Sequence, residues 1–297
     1  MANTRFQYVR SFELPDPLLP NTHLVLRIDG HAFHKFSEAH GFQKPNDERA
    51  LKLMDKAAQT VMEEYPDIVL GFGESDEFSF LFKKSTKLYN RRQSKIVSML
   101  TSLFTSAYVF NWKTHFPDTE LNYPPSFDGR VVVYPGKQEI RDYFSWRQAD
   151  THINNLYNTT FWALVQQGGM TARQAETRLK GTLSKDKHEI LFSTYGINYN
   201  ALPERFKKGS VLVREVIESE SVGVANTSVP KENTNIADVN DPVINFQNMQ
   251  DAIPAKPESK QIAKNKAKRP PPTAVRVIHV DIIKDEFWAA RPELLDS

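Results

Sequence analysis

A chain of 297 residues with 38 Lys and Arg against 36 Asp and Glu carries a formal charge of +2, which allows one or two domains and excludes a wholesale polycation. The absence of cysteine excludes disulfides, thiolate zinc sites, iron–sulfur clusters and cysteine nucleophiles together. An apolar share of 40% supports a sizeable core, and with no apolar run of about 18 residues and no signal-like start the expectation is a soluble, intracellular protein without a membrane partner.

The first strand is Leu24-Val25-Leu26-Arg27-Ile28, closed by Asp29-Gly30. A helix is expected from about Asp47 to Tyr65, with Asn46 as N-cap, Asp47 and Glu48 in its first turn, and Pro66 as its stop. Its apolar residues Leu51, Met54, Ala58, Val61 and Met62 fall on one stripe. Ile68-Val69-Leu70 and Phe78 to Phe82 read as strands joined by the tight segment Gly71 to Glu77, hence a hairpin. A long helix follows from about Asn90 to Trp112, with Ile96, Met99, Leu100, Leu103, Phe104 and Ala107 inward. Arg130 to Tyr134 is a strand, and a helix spans roughly Gln138 to Gln166. Thr171 and Gln174 form a capping-box pattern for a helix ending near Gly181, and Ser184 to Tyr195 is a further helix closed by Gly196.

Composition shifts near residue 217. The stretch 217–272 is rich in Asn, Ser, Glu, Lys and Pro without periodicity, and is expected to be disordered. Its late cations, Lys256, Lys260, Lys264, Lys266, Lys268 and Arg269, read as a solvated linker or as an RNA-contacting or import tail. Order is expected to return at Val275, where VRVIHVDII alternates and DEFWAARPELL looks helical, so that the terminal segment packs back on the main body. The order β-α-ββ-α-β with a helical second half is α+β.

The chemistry concentrates at Asp29, Asp76 and Glu77. Acids flanked this closely by core strands stay charged when they are paired or bind metal. If the first strand lies beside the hairpin, the carboxylates converge at one sheet edge and suit two Mg²⁺ ions about 4 Å apart. The plainer reading is that Asp76 and Glu77 are turn residues and Asp29 a strand terminator. The run Asp29 to His34 would expose successive N–H groups as a triphosphate cradle, and Ser75 could donate to a phosphate oxygen. Lys83, Lys84, Lys87, Arg91, Arg92 and Lys95 follow with no intervening acid, which implies an anionic ligand or a solvated loop. His31, His34 and His40 match no zinc spacing. No phosphate loop, dinucleotide turn or nucleophile elbow occurs. In the run His152 to Thr159, His152, Asn155 and Asn158 share a polar helix face, either as a buried network or for nucleotide or RNA recognition.

The motifs LRIDGHAFHKF, GFGESDEFSFLF, SKIVSMLTSLFTS, WRQADTHINNLYNT and DIIKDEFW closely resemble the tRNA-histidine guanylyltransferase family of eukaryotic type, over about 1–216 and the last twenty or so residues. The resemblance implies an antiparallel sheet like a polymerase palm or cyclase domain with packed helices. It divides the chain into a catalytic domain (1–136), a helical region (137–216), a polar insertion (217–272) and a C-terminal segment (273–297). It implies addition of a guanosine to the 5′ end of tRNA-His in the 3′-to-5′ direction. ATP adenylylates the 5′-phosphate, the GTP 3′-hydroxyl attacks it, and the 5′ pyrophosphate is then removed. Asp29 and Asp76 would hold both Mg²⁺ ions with the Gly30 carbonyl, and Glu77 would hold water or metal one shell out. Gly30, His31, Ala32, Phe33 and His34 would cradle the GTP triphosphate with Ser75. Arg92, Lys95 and Arg130 would neutralise phosphates, Lys44 and Asp47 would face guanine, and His152, Asn155, Asn158 and Lys187 would handle the tRNA end or ATP. The family further implies a homo-tetramer, and the expected location is the cytoplasm, with the nucleus in addition. Two other readings remain: a cyclase-like enzyme acting on a nucleoside triphosphate alone, and a non-catalytic RNA-binding module.

Overall fold

A computed structural model of the chain describes residues 4–216 and 273–296. The expected disordered stretch 217–272 and its basic tail lie outside the described residues. Six strands form one sheet: β1 (His23–Gly30), β2 (Ile68–Glu74), β3 (Glu77–Phe82), β4 (Phe127–Tyr134), β5 (Ser210–Val216) and β6 (Thr273–Ile278), in the order β4-β1-β3-β2-β5-β6. The pairs β1–β3, β1–β4, β2–β3 and β2–β5 are antiparallel.

Alternation along β1 decides the layering. Leu24, Leu26 and Ile28 enter one core cluster and Val25 the other, and all four are fully buried. On the first face lie α1 (Phe33–Ala39), α2 (Glu48–Glu64), α3 (Gln93–Phe110) and α4 (Trp112–His115). The second face is covered by α5 (Lys137–Gln166) together with α9 (Asp285–Ala289) and α10 (Glu293–Asp296). Around the later turns of α5 cluster α6 (Ala172–Leu179), α7 (Ser184–Glu189) and α8 (Glu204–Lys208). Coverage on both faces explains why β2 and β3 are apolar at nearly every position rather than alternating. Among the described residues no helix is long and apolar enough to cross a membrane.

Several expectations are corrected. The region 137–216 is not wholly helical, because β5 ends it and extends the sheet beyond β2, while the alternation expected from Val275 is present as β6, which adds the next strand. Asp47, not Asn46, caps α2, its Oδ1 accepting from Arg49 N at 3.0 Å. Asn46 instead donates across the molecule to Asn155 Oδ1 at 2.8 Å. α3 starts at Gln93 because Tyr89, Asn90 and Arg91 hold positive φ, and Asp16 caps it from outside by accepting from Ser94 N at 2.7 Å. Met99 is 40% exposed rather than inward. The helix expected over Ser184 to Tyr195 is present to its expected end, but it is widened into a π turn over Ile190–Thr194. The capping box at Thr171 and Gln174 is present.

Strand direction then fixes what meets where. β1 and β2 end, and β3, β4 and β5 begin, at the same end of the sheet. That end collects Asp29-Gly30, the Glu74–Glu77 turn and Ser210.

Candidate active site

Asp29 pairs with Glu77 across β1 and β3, and Glu74 pairs with Glu77 across the turn that carries Ser75 and Asp76. Gly30 N donates to Asp76 O at 3.0 Å, which ties the strand end to that turn. Glycine is required at position 30. A Cβ there would sit 2.3 Å from Phe33 Cδ2 and 2.9 Å from Asp76 Oδ2. The Asp76 carboxylate therefore leans directly over the Gly30 backbone.

The electrostatics are those of crowded, dehydrated acids. Burial pushes the Asp76 pKa up, the Ser75 hydroxyl draws it down, and the Asp29 charge adds to the rise. Burial likewise pushes Glu77 up to about 7, against the pull of Arg147. A protein that buries carboxylates side by side leaves them wanting positive charge. Among the described residues no three His, Cys, Asp or Glu side chains group as a metal cage. Asp29 and Asp76, with the Gly30 carbonyl as a further candidate, could offer instead a sparse, oxygen-only donor set. It fits Mg²⁺, which keeps waters and takes phosphate oxygens in its remaining positions.

These acids line a cavity of about 670 Å³, together with Lys44, Asp47, Asn154, Asn155, Asn158 and Trp162. Beside them the chain makes a left-handed turn at Ala32 (φ 53) and enters α1. The N–H groups of Ala32, Phe33 and His34 have no internal partner among the described residues, as expected at a helix start. The cradle is narrower than expected from sequence, because Gly30 N serves Asp76 O and His31 N donates to Ser126 O at 2.9 Å. The Phe33 ring belongs to the core, stacked on Phe36 at 4.9 Å. Ser75 lines the cavity beside Asp76, close enough to draw its carboxyl down.

Lys44 Nζ donates to Ser37 Oγ at 3.1 Å and lies 5.9 Å from the Trp162 ring centroid. Asp47 has little left to offer a ligand. Burial raises its pKa, but Arg49 and the Gln43 N–H outweigh it and hold the carboxyl below its usual range. Asn155 is buried, bonded to Asn46 and donating to Tyr199 OH at 3.0 Å, while Asn158 lines the cavity.

Other expected site residues lie elsewhere in this chain. His152 faces Tyr199, with 5.5 Å between ring centroids, and Lys187 Nζ donates to Thr182 O at 2.9 Å. Neither lines the cavity. The cationic run from Lys83 to Lys95 starts where β3 ends, six residues from the turn, so about 20 Å from the carboxylates. Lys95 is as remote along α3, whose Tyr108 reaches the cavity thirteen residues later, about 20 Å further on. Arg91 is buried and donates to Leu19 O at 2.6 Å, and Arg92 pairs with Asp16 at 3.0 Å. Arg130 stands exposed on β4 beside the carboxylate edge: it pairs with Asp128 and lies within electrostatic reach of Asp29 and Glu77, although it does not line the cavity.

Sequence reasoning missed Arg147, Glu74, Asn154, Trp162 and Arg205, all of which line the cavity. A signal existed. Arg147, Thr151, Asn154, Asn158 and Trp162 recur every three or four residues and so form one helix face. Counting from His152 in steps of three starts off that face and turns toward it by about 60° per step, so that it meets the face only at Asn155 and Asn158.

A family model described as tRNAHis guanylyltransferase matches residues 6–135, and one described as the Thg1 C terminal domain matches residues 138–284. The second match runs through 217–272, where the motifs read from sequence have no counterpart. The chain is 50% identical over 303 residues to the tRNA(His) guanylyltransferase of Neurospora crassa, covering 100% of this chain and 97% of that relative. The crystal structure of the tRNA(His) guanylyltransferase of Saccharomyces cerevisiae is similar with TM-score 0.68 and 53% identity, over 70% of this chain and 93% of that one. A bacterial tRNA(His) guanylyltransferase-like protein in complex with ATP gives TM-score 0.58 and 26% identity, over 70% of this chain and 84% of that one.

Proposed function

The chain belongs to the tRNAHis guanylyltransferase family, and from that premise we propose that it is a nucleotidyltransferase that adds a guanosine to the 5′ end of tRNA(His), building in the 3′-to-5′ direction. The observation that carries the reading is one cavity uniting Asp29 and Asp76 with the unpartnered N–H groups of residues 32–34 and the amide face of α5.

The sequence of events is adenylylation, transfer and trimming. The tRNA 5′-phosphate attacks the α-phosphorus of ATP and pyrophosphate leaves. The 3′-hydroxyl of GTP then attacks the adenylylated phosphate, and AMP leaves. Hydrolysis removes pyrophosphate from the new 5′ end. Little covalent chemistry is asked of the protein, so its work is to position and to neutralise. The N–H groups of Ala32, Phe33 and His34 receive a triphosphate, which three convergent dipoles bind well. Lys44 with Trp162 offers a cation and an indole face at the base end, and the Asn158 amide supplies both donor and acceptor. Asp29, Asp76 and the Gly30 carbonyl would hold Mg²⁺, two ions per site, which when bound polarises the phosphoryl oxygens and lowers the pKa of the attacking hydroxyl. Glu77 supports this pair from behind, since its two carboxylate oxygens face Arg147 and Arg27.

Arg92, Lys95, Arg130, His152 and Lys187 do not line this chain's own cavity and are assigned to contacts with the tRNA or a neighbouring subunit. The proposed assembly is a homo-tetramer, supported by an outer face of α3 on which Phe110 is 87% exposed and Met99 40%.

Full-length protein incubated with labelled GTP, with 5′-monophosphorylated tRNA(His) and ATP each present or withheld, tests the proposal. Label entering tRNA only when both are present is the expected result. A labelled small product without tRNA would establish the cyclase-like reading instead, and Mg²⁺-independent tRNA binding without turnover the RNA-binding module.

A further inference from the structure

Behind the carboxylate edge stands a second layer of charge that the proposed chemistry does not itself use. Glu74 and Glu77 face each other across the base of the Ser75–Asp76 turn, a like-charge pair that alone would push the hairpin apart. Arg147, from α5, enters between them. Its Nε lies 2.9 Å from Glu77 Oε1, and its terminal nitrogen donates to Glu74 Oε1 at 2.6 Å and to Asp150 Oδ2 at 3.1 Å. Arg27, two residues before Asp29 on β1, approaches the other oxygen of Glu77 at 3.7 Å. The arrangement is nearly dry, with side-chain exposures of 7% for Arg147, 9% for Glu74 and 12% for Glu77.

We propose that Arg147 is a positioning residue that clamps the Ser75–Asp76 turn to α5 and so sets the Asp76 carboxylate for a divalent cation before cation or nucleotide arrives. The proposal rests on the reading of Asp29 and Asp76 as the cation-holding pair.

Three observations support it. First, stability alone does not ask for this contact. A buried ion network is commonly no more stable than a packed apolar one, and α5 already holds the sheet through Ile140, Tyr143 and Phe144, one turn earlier. Second, one guanidinium serves both strands of the hairpin: its terminal nitrogen hydrogen-bonds Glu74 on β2, while its Nε side stands against Glu77 on β3 as an ion pair without the alignment of a hydrogen bond, and the compact ammonium of lysine spans that distance less well. Third, the same helix continues into Thr151, Asn154 and Asn158 on the cavity wall, so a single clamp fixes the register of the acidic edge against the amide face.

The test uses the full chain and Mn²⁺ as a paramagnetic stand-in for Mg²⁺, with free Mn²⁺ counted by its EPR signal. Arg147→Lys and Glu74→Gln each keep size and polarity while opening the clamp. Each is expected to weaken Mn²⁺ binding about 10-fold, the low end of the range for residues that orient a metal's ligands, because the clamp acts on Asp76 through the turn rather than by touching it. The guanylyl-transfer kcat should fall with it while KM for GTP holds, the signature of a lost positioning contact rather than lost binding. The double variant should be no worse than either single one, because both remove the same tie. Folded Arg147→Lys and Glu74→Gln proteins with unchanged Mn²⁺ affinity and kcat would overturn the clamp. Asp76→Asn separates the two levels: if it leaves Mn²⁺ binding intact, the cation reading fails and the clamp with it, whereas Mn²⁺ lost in Asp76→Asn but kept in both clamp variants sinks the clamp alone.

Discussion

Replacing Gly30 with alanine puts the smallest possible wedge under Asp76. The added methyl would lie 2.3 Å from Phe33 Cδ2, 2.6 Å from Phe33 Cγ and 2.9 Å from Asp76 Oδ2. Carbon atoms rest about 3.5–4.0 Å apart, so ring and carboxylate must between them retreat by more than about 1 Å. The ring has nowhere to go, being stacked on Phe36 at 4.9 Å and set against Phe127 at 5.1 Å. Overpacking of this kind costs about 1–3 kcal/mol of stability. A shift of about 1 Å at a reacting centre costs on the order of 100-fold in rate.

The two losses are measured apart, by urea unfolding and by initial rates of GTP incorporation well below the melting temperature. A domain with an ordinary reserve of about 5–15 kcal/mol stays mostly folded after that destabilisation, so unfolding cannot account for a drop of about 100-fold. Gly169→Ala is the control: φ is +65 and nothing lies within 4 Å, so it should be strained by about 1–2 kcal/mol and keep its rate. A Gly30→Ala enzyme with the parental rate would refute the placement of Asp76 against the Gly30 backbone.

Glu77 predicts a pH dependence. Its carboxyl titrates at about 7 in the fold against an ordinary 4.5, so the native state holds that proton more tightly than the unfolded chain does. The associated stability is present at low pH and is lost as pH rises through about 7. Without divalent cations, urea unfolding should show up to about 3 kcal/mol lost between about pH 4.5 and 8, and a much flatter profile for Glu77→Gln. Asp55 and Arg205 form a buried pair at 2.6 Å that joins α2 to α8. Arg205→Met strands the carboxylate and should cost about 3–5 kcal/mol, most of it recovered in Asp55→Leu/Arg205→Met; equal stability of all three proteins would contradict this. Arg91, buried against the carbonyls of Leu19 and Thr22, is structural, so Arg91→Met should lose about 3 kcal/mol in chemical unfolding while the salt slope of tRNA binding stays as in the parent.

The strands and the carboxylate turn were legible because their signals are local. Alternating or continuous apolar runs broken by Gly30 and by Ser75-Asp76 mark where chain must pair and turn. What escaped depends on direction and distance in space. The cations from Lys83 to Lys95 follow Asp76 closely in sequence, yet β3 carries them to the far end of the sheet. The cavity face of α5 was reached at Asn155 and Asn158 but missed at Arg147, Asn154 and Trp162, because the count began at His152, less than one turn out of phase. β5 and β6 pair beside β2 although a long segment separates them in sequence, and short strands of this kind lack a turn signal to announce the pairing.

The central claim is that Asp29 and Asp76 carry the nucleotidyl chemistry and not the fold. Labelled GTP incorporation into 5′-monophosphorylated tRNA(His), with ATP and Mg²⁺, measures it directly on Asp29→Asn and Asp76→Asn proteins whose melting is recorded beside the parent. The expected result is loss of incorporation in both, with Asp76→Asn melting at or above the parent because burial already disfavours that charge. Guanylylation at the parental rate by a folded Asp76→Asn protein would contradict the claim.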